Sequence, residues 1–193
     1  MPRIFLKLAL ALTLVLLPLA AEAQEIVGPR VLVNEGHMVV STALDLSEKQ
    51  LEDISKGISK EIDIYVDLFR VWTSWPDEFV LGTKFTRTLR CDPVKKEYVA
   101  TSLVGNVLRE KRFTDCRSLV GWALSVDEHT LTSVKELEPS RYFVRVTAEG
   151  RLRKLPPVVG YLFFFVKERE FKVESDSAPF AINGGGPGGE AGP

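Results

Sequence analysis

The chain has 193 residues, of which 45% are hydrophobic and 26% charged, and its formal net charge is −1 at pH 7. This near-neutral balance gives no electrostatic reason to predict nucleic acid or an anionic lipid surface as a partner. A chain of this length can bury enough surface to fold as one domain without a metal ion or several disulfides.

Residues 1–23 have the pattern of a secretory signal peptide. A positively charged start precedes an apolar run over residues 8–17, and small residues alternate at positions 21–23. The apolar run is shorter than the roughly 20 residues of a membrane-spanning helix, which argues against the alternative of an uncleaved anchor. We therefore predict cleavage between Ala23 and Gln24, export to the periplasm, and no transmembrane span in the remaining chain.

The exported part begins with a predicted β-hairpin over residues 31–40, because the Asn-Glu-Gly-His sequence at its centre suits a tight turn. A short helix is predicted to follow the hairpin. Ser47 and Gln50 have the spacing of a capping box at the start of this helix, and Gly57 is placed to end it.

Residues 58–72 alternate between apolar and polar side chains, which predicts a long strand with one buried and one solvated face. Two further strands are predicted at residues 79–90 and 97–104, with a turn between them. The side chains predicted to point inward from the long strand are Ile58, Ile62, Ile64, Val66, Leu68 and Trp72, and those predicted to face water are Ser59, Glu61, Asp63 and Asp67.

A second amphipathic helix is predicted within residues 116–124, where apolar residues recur at helical spacing. Residues 127–140 fit either a short helix or an irregular connection, and residues 141–148 alternate as a strand. Residues 158–166 are predicted as a buried strand or a short buried helix, since periodicity does not separate the two, and residues 171–174 as a last short strand.

Short turns between consecutive strands favour antiparallel pairing. The predicted fold class is therefore α+β and mainly β: an antiparallel sheet or a two-sheet sandwich with two short helices. Residues 24–182 are predicted to form this single domain, and the glycine- and proline-rich residues 183–193 a disordered tail.

The chain contains two cysteines, Cys91 and Cys116. In an oxidising compartment such a pair is readily bridged, and the bridge would close a loop of about 25 residues. The alternative is two buried thiols that act as small apolar residues.

The order of these elements resembles an exported bacterial family of unknown function, domain of unknown function 4390. The resemblance covers roughly residues 30–182, and it depends on the hairpin, the first helix, the long strand, the strand sequence at residues 142–146 and the aromatic stretch at residues 164–171. The resemblance implies a fold and a location in the cell envelope, but it implies no enzymatic activity. The cysteine pair and the tail are departures that the resemblance does not explain.

Four aromatic side chains are candidates for a binding surface. Tyr65 and Phe69 lie at the polar positions of the long strand, and Trp72 and Trp75 flank the turn that follows it. Aromatic side chains at such positions can contact a ligand or a partner. The alternative is ordinary packing against the sheet.

No catalytic, cofactor-binding or metal-binding motif is found in the sequence. His37 and His129 lack metal-ligand spacing, and neither a Gly-x-Ser-x-Gly turn nor a phosphate-binding glycine loop occurs. Glu61, Asp63 and Asp67 share one face of the long strand, a pattern that fits a hydrolase or cation site but equally a solvated sheet face. We therefore predict no catalytic residues, no cofactor and no metal.

These observations lead to a non-enzymatic periplasmic module that binds a protein or another envelope component through a sheet face or strand edge. The alternative is a carrier of a lipid or other apolar ligand in a sandwich pocket, suggested by the aromatic-rich strand and by residues 158–166. A third hypothesis is an enzyme that uses Glu61, Asp63 or Asp67.

Overall fold

The structure, a computed structural model, describes residues 24–152 and 169–183. The predicted signal peptide, the segment at residues 158–166 and all but the first residue of the predicted tail lie outside the described residues. In chain order the elements are β1 (Glu25–Asn34), β2 (His37–Asp45), α1 (Glu48–Ser55), β3 (Lys60–Arg70), β4 (Glu78–Asp92), β5 (Glu97–Val104), β6 (Val107–Phe113), α2 (Cys116–Ala123), β7 (Ser125–Ser133), a 3-10 turn (Val134–Glu136), β8 (Ser140–Leu152), β9 (Arg169–Asp176) and β10 (Phe180–Ile182).

The described strands form two antiparallel sheets. The small sheet has the order β1-β2-β7, and the large sheet has the order β10-β8-β3-β4-β5-β6, with β9 also paired to β8. Two short helices accompany the sheets, so the predicted α+β, mainly β class is confirmed. Both sheets contribute to one hydrophobic core, in which Val40 of the small sheet and Val66 of the large sheet are completely buried.

Strand β3 lies at the centre of the large sheet, between β4 and β8. Its predicted alternation is confirmed for Ile62, Ile64, Val66 and Leu68, which are buried. Ile58 and Trp72 were predicted to point inward, and this is wrong, because both lie outside β3 and are exposed.

A lysine takes the inward position that begins β3. Lys60 is buried, and its Nζ lies 2.5 Å from Glu170 Oε1 of β9 and 3.3 Å from Asp53 Oδ2 of α1. A buried ammonium needs such partners, because an isolated charge is costly to take out of water. Lys60 therefore connects the first helix to two strands of the large sheet.

Three strands were not predicted: β6, β7 and the short β10, which follows the strand at residues 171–174 that was expected to be the last. Residues 107–113 form β6, which lies at the edge of the large sheet with almost every side chain exposed. Ser125–Ser133 form β7, so the helical or irregular interpretation of residues 127–140 is wrong for residues 127–133, whereas residues 134–139 do form a 3-10 turn and an irregular connection. Strand β1 also begins at Glu25, earlier than the hairpin predicted from residue 31.

The cysteines lie where the second helix meets the large sheet. Cys91 is near the end of β4, Cys116 begins α2, and their Cα atoms are 6.0 Å apart with the sulfur atoms placed as a disulfide. This Cα distance is typical of a disulfide. The structure thus favours the bridge over two separate thiols, and it holds α2 against β4.

Gly150 of β8 and Gly121 of α2 give a matched pair of stability predictions. The ring of Phe171 lies where a Cβ of Gly150 would be, whereas nothing lies within 4 Å of a Cβ at Gly121. We expect Gly150→Ala to lower the free energy of unfolding by about 1–3 kcal/mol, since the ring must move. Gly121→Ala should raise it by roughly 0.5–1 kcal/mol through helix propensity. Urea unfolding measures both, and equal effects would contradict the packing of Phe171 on Gly150.

Candidate functional site

The four predicted aromatic residues lie on β3 and on the loop that joins it to β4. Phe69 points to the outer face of the large sheet, where its ring stacks on Phe143 at a centroid distance of 5.4 Å and meets Phe79 edge-on at 5.8 Å. Tyr65 lies four residues away on the same face, beyond Asp67 and roughly 13 Å from Phe69 along the strand, with Lys84 Nζ 5.2 Å from its ring centroid.

The loop places two tryptophans at the tip of this hairpin. The indole N–H of Trp72 donates to Glu78 Oε2 at 3.1 Å, which fixes its ring, and Trp75 is 77% exposed. Phe79 on β4 is also exposed, and the sequence analysis did not single it out. The hairpin tip thus presents three partly or largely exposed aromatic rings, those of Trp72, Trp75 and Phe79, which we call the aromatic tip.

The three carboxylates predicted on one face of β3 do share the outer face, but Asp63 is not solvated. It is only 1% exposed, its Oδ1 accepts a hydrogen bond from the Thr86 hydroxyl at 2.6 Å, and its Oδ2 lies 3.0 Å from Lys84 Nζ and from Arg151 Nη1. Both Oδ2 contacts are ion pairs with a basic side chain. Asp63 is therefore the centre of an ion-pair network between three strands.

Asp67 has a different environment from Asp63. Its side chain lies over Gly82, which is opposite it on β4. Burial raises the pKa of Asp67, and the positive charge of Arg145 on β8 opposes that shift. The structure therefore gives Asp63 and Asp67 separate surroundings, although it brings them to one face as predicted.

A cleft opens on the other face of the large sheet. It has a volume of about 450 Å³ and lies between the inner faces of β4, β5 and β6 on one side and α2 and β7 on the other. We call it the Arg87 cleft. Its lining includes Phe85, Arg87, Arg109, Trp122, Asp127 and His129.

Arg87 is the most unusual residue of this cleft because it is only 8% exposed. Its guanidinium carbon lies 4.7 Å from the ring centroid of Trp122 and 5.6 Å from that of Phe85. Its Nε is buried and has no hydrogen-bond partner among the residues that the structure describes. Burial lowers the pKa of Arg87, and the charge of Asp127 works in the opposite direction.

Sequence reasoning missed Arg87, although a signal was present. Strand β4 alternates with Phe85 and Leu89 inward, and Arg87 stands between them on the same side. A charged residue at an inward position of an alternating strand is unusual, because burying a charge is costly. Such a residue indicates either an internal ion pair, as for Lys60, or a site.

The two histidines lie on neighbouring strands of the small sheet, where His129 is opposite Val40, three residues from His37. His37 begins β2 at the hairpin turn and is exposed, whereas His129 on β7 is partly buried. The ring of His129 meets Phe85 edge-on at 4.9 Å, and its Nε2 lies 3.1 Å from the Thr83 hydroxyl oxygen. Burial lowers the pKa of His129, so the neutral ring is favoured in the cleft.

This shift predicts a loss of stability in mild acid. The folded protein holds a proton on His129 less readily than the unfolded chain, so stability falls as the pH drops below the unfolded pKa of about 6.5. We expect His129→Gln to reduce the difference in unfolding free energy between pH 7 and pH 5. An NMR titration of the His129 ring with a midpoint above 6.5 would contradict this.

Comparison with protein-family models matches residues 25–178 to DUF4390, a domain of unknown function. The chain belongs to this family. No curated protein and no solved structure matches it. The family match begins at the start of β1 and ends after β9, so both the aromatic tip and the Arg87 cleft are parts of the DUF4390 domain.

Within residues 24–152 and 169–183 of this DUF4390 protein, no helix is long and apolar enough to cross a membrane. The same residues bring the candidate groups together in two separate places. The aromatic tip is at the β3–β4 loop, and the Arg87 cleft is between the sheets beside β6.

Proposed function

We propose that this DUF4390 protein is an exported, non-enzymatic binding module that works in the periplasm and binds a protein partner through its aromatic tip. Export is supported by the signal-peptide pattern of residues 1–23. The observation that carries the binding role is the exposure of Trp75, together with Trp72 and Phe79, at one end of the β3–β4 hairpin.

The surroundings of the aromatic tip suit a protein partner. Arg70 lies near it, with its Nη1 3.5 Å from Glu78 Oε2 and its guanidinium carbon 5.8 Å from the Trp72 ring centroid. On the outer face, Arg145 lies over Phe69 and pairs with Asp176 at 2.7 Å. Aromatic anchors with arginines and a polar rim are typical of protein–protein interfaces.

The alternative of an apolar-ligand carrier needs an apolar cavity between the sheets. In the described part of the chain, this space holds fully buried side chains such as Met38, Val40 and Val66. Two described clefts with partly apolar walls, the Arg87 cleft and one lined by Leu44, Leu51, Val120 and Leu124, open to solvent rather than being enclosed, which supports the binding module over the carrier.

Site-specific photocrosslinking tests the proposed role in the native host. A photoreactive amino acid replaces Trp75, and the control carries it at Val94, which is 91% exposed on the turn between β4 and β5. We expect a discrete protein adduct from position 75 and none from position 94. Failure to obtain an adduct at position 75, or the same adducts from both positions, would overturn the proposed role.

Export has its own test. We expect the protein in the periplasmic fraction, with an N-terminus at Gln24. A protein that stays in the cytoplasm with residues 1–23 intact would contradict export. The photocrosslinking experiment tests partner binding independently of this result.

A further inference from the structure

We propose that the Arg87 cleft binds the carboxylate group of a ligand whose adjoining part is apolar. This site is separate from the aromatic tip, and the proposal does not depend on the function assigned to that tip. The ligand could be supplied in two forms with the same chemistry: a small organic acid, or an acidic group within a peptide.

Arg87 has a buried donor that no described residue satisfies. The residue is more than nine-tenths buried, it lines the cleft, and its Nε lacks a hydrogen-bond partner in the described chain. A buried donor without an acceptor is unfavourable, and removing that cost favours binding of an anion. A carboxylate offers two oxygens with the spacing that a guanidinium matches.

Positive charge exceeds negative charge around the cleft. Arg109 on β6 is opposite Ser102 on β5, which is opposite Arg87 on β4, so both arginines belong to the same face of the sheet. Lys111 is on that face too, with its Nζ 5.4 Å from the ring centroid of Trp122. Two arginines of the lining thus face a single lining carboxylate, that of Asp127.

Asp127 limits the charge of the ligand. Asp127 lines the cleft, and its Oδ2 accepts a hydrogen bond from the Ser125 hydroxyl at 3.1 Å. Its negative charge would oppose a doubly charged phosphate more strongly than a carboxylate with one charge. The cleft therefore favours a monoanion.

Part of the cleft lining is apolar. Trp122 and Phe85 flank the guanidinium, and Val104 and Val107 continue the wall towards the edge strand β6. A volume of about 450 Å³ is within the range of small-ligand sites. An aliphatic or aromatic group next to the carboxylate would find van der Waals contact there.

The test uses the fluorescence of Trp122 as a reporter. The chain has three tryptophans, so a protein with Trp72→Phe and Trp75→Phe keeps Trp122 alone. It is titrated with 3-phenylpropionate and with the neutral 3-phenylpropanamide, which has the same shape. We expect a saturable change with the acid and binding at least about tenfold weaker with the amide, because the pairing with Arg87 is lost.

Variants on the two faces of the sheet identify the residues responsible. In the same protein, Arg87→Met should weaken binding of 3-phenylpropionate by at least about tenfold, and Arg109→Met by a few fold. The matched control is Arg112→Met on the outer face of β6, which should leave binding unchanged. If Arg87→Met does not fold, the comparison of the acid with the amide and the Arg109→Met variant still test whether the cleft binds a carboxylate.

A third probe, the blocked peptide acetyl-Val-Glu-Val-amide, separates the two sources. Tighter binding of the peptide than of the acid assigns the site to a protein segment, and the reverse order assigns it to a small organic acid. The proposal is overturned if acid and amide bind equally, if no probe gives a saturable signal, or if Arg112→Met weakens binding as much as Arg109→Met.

Discussion

Replacement of Asp63 by alanine is expected to lower the free energy of unfolding by about 3 kcal/mol. Asp63 is 1% exposed, and its carboxylate is the common partner of Lys84, Arg151 and the Thr86 hydroxyl. Removing one member of a buried ion pair typically costs roughly 3–5 kcal/mol, because the opposite charge is left without a partner. The lower end applies here since Lys84 and Arg151 are partly exposed and can reach water.

Urea unfolding at pH 7 measures this effect, and Glu110→Ala is the matched control. Glu110 forms an exposed ion pair with Arg112 at 3.6 Å on β6. Exposed pairs contribute only about 0–1 kcal/mol, so the control should change stability little. If Asp63→Ala is no more destabilising than Glu110→Ala, then the network around Asp63 does not stabilise the sheet as its burial implies.

Loss of the disulfide is expected to have an effect of similar size. The bridge joins residues that are 25 positions apart. In the chain-entropy treatment, a loop of this length restricts the unfolded chain enough to stabilise the folded protein by about 3.5 kcal/mol. The double variant Cys91→Ala, Cys116→Ala should therefore lose about this much, which lowers the melting temperature by roughly 7–14 °C.

Reductant provides the control for the disulfide prediction. The wild-type protein should lose a similar amount of stability when dithiothreitol is added, whereas the double variant should not respond. Thiol titration of the denatured, unreduced protein should detect no free cysteine. Two free thiols, or unchanged stability of the double variant, would contradict a bridge between Cys91 and Cys116.

The parts of the fold that could be predicted are those in which a local sequence pattern matches the burial of the side chains in the folded protein. The alternation in β3 predicted a strand because one of its faces does lie in the core. The capping box of α1 was recognisable since Ser47 and Gln50 make contacts within a single turn, and both hydrogen bonds are present. Signals of this kind do not depend on distant parts of the chain.

Strands β6 and β7, which were missed, lack that agreement. Strand β6 has hardly any buried side chain, so its sequence shows no alternation. In β7, the pairing with β2 shifts register twice, and Glu128 has a φ of 46°, so the period of two is interrupted. Without an alternation of apolar and polar residues, the strand propensity of these residues alone was not enough to predict a strand.

The site was harder to predict than the fold because its residues meet only through tertiary structure. Asp63 is buried by partners from β4 and β8, and a pattern within β3 contains no information about them. The Arg87 cleft joins residues of four strands and a helix. The inward parity of Arg87 was visible in the sequence, but its pairing with Trp122 was not.

The exposed edge formed by β6 has a consequence for the behaviour of this protein at high concentration. An unpaired strand edge can hydrogen-bond to the edge of another copy and so begin aggregation. Residues 109–112 place three basic side chains and one acidic side chain in succession on this edge. The net positive charge of this run opposes the approach of a second such edge, so the strand that borders the cleft also disfavours edge-to-edge association of two copies.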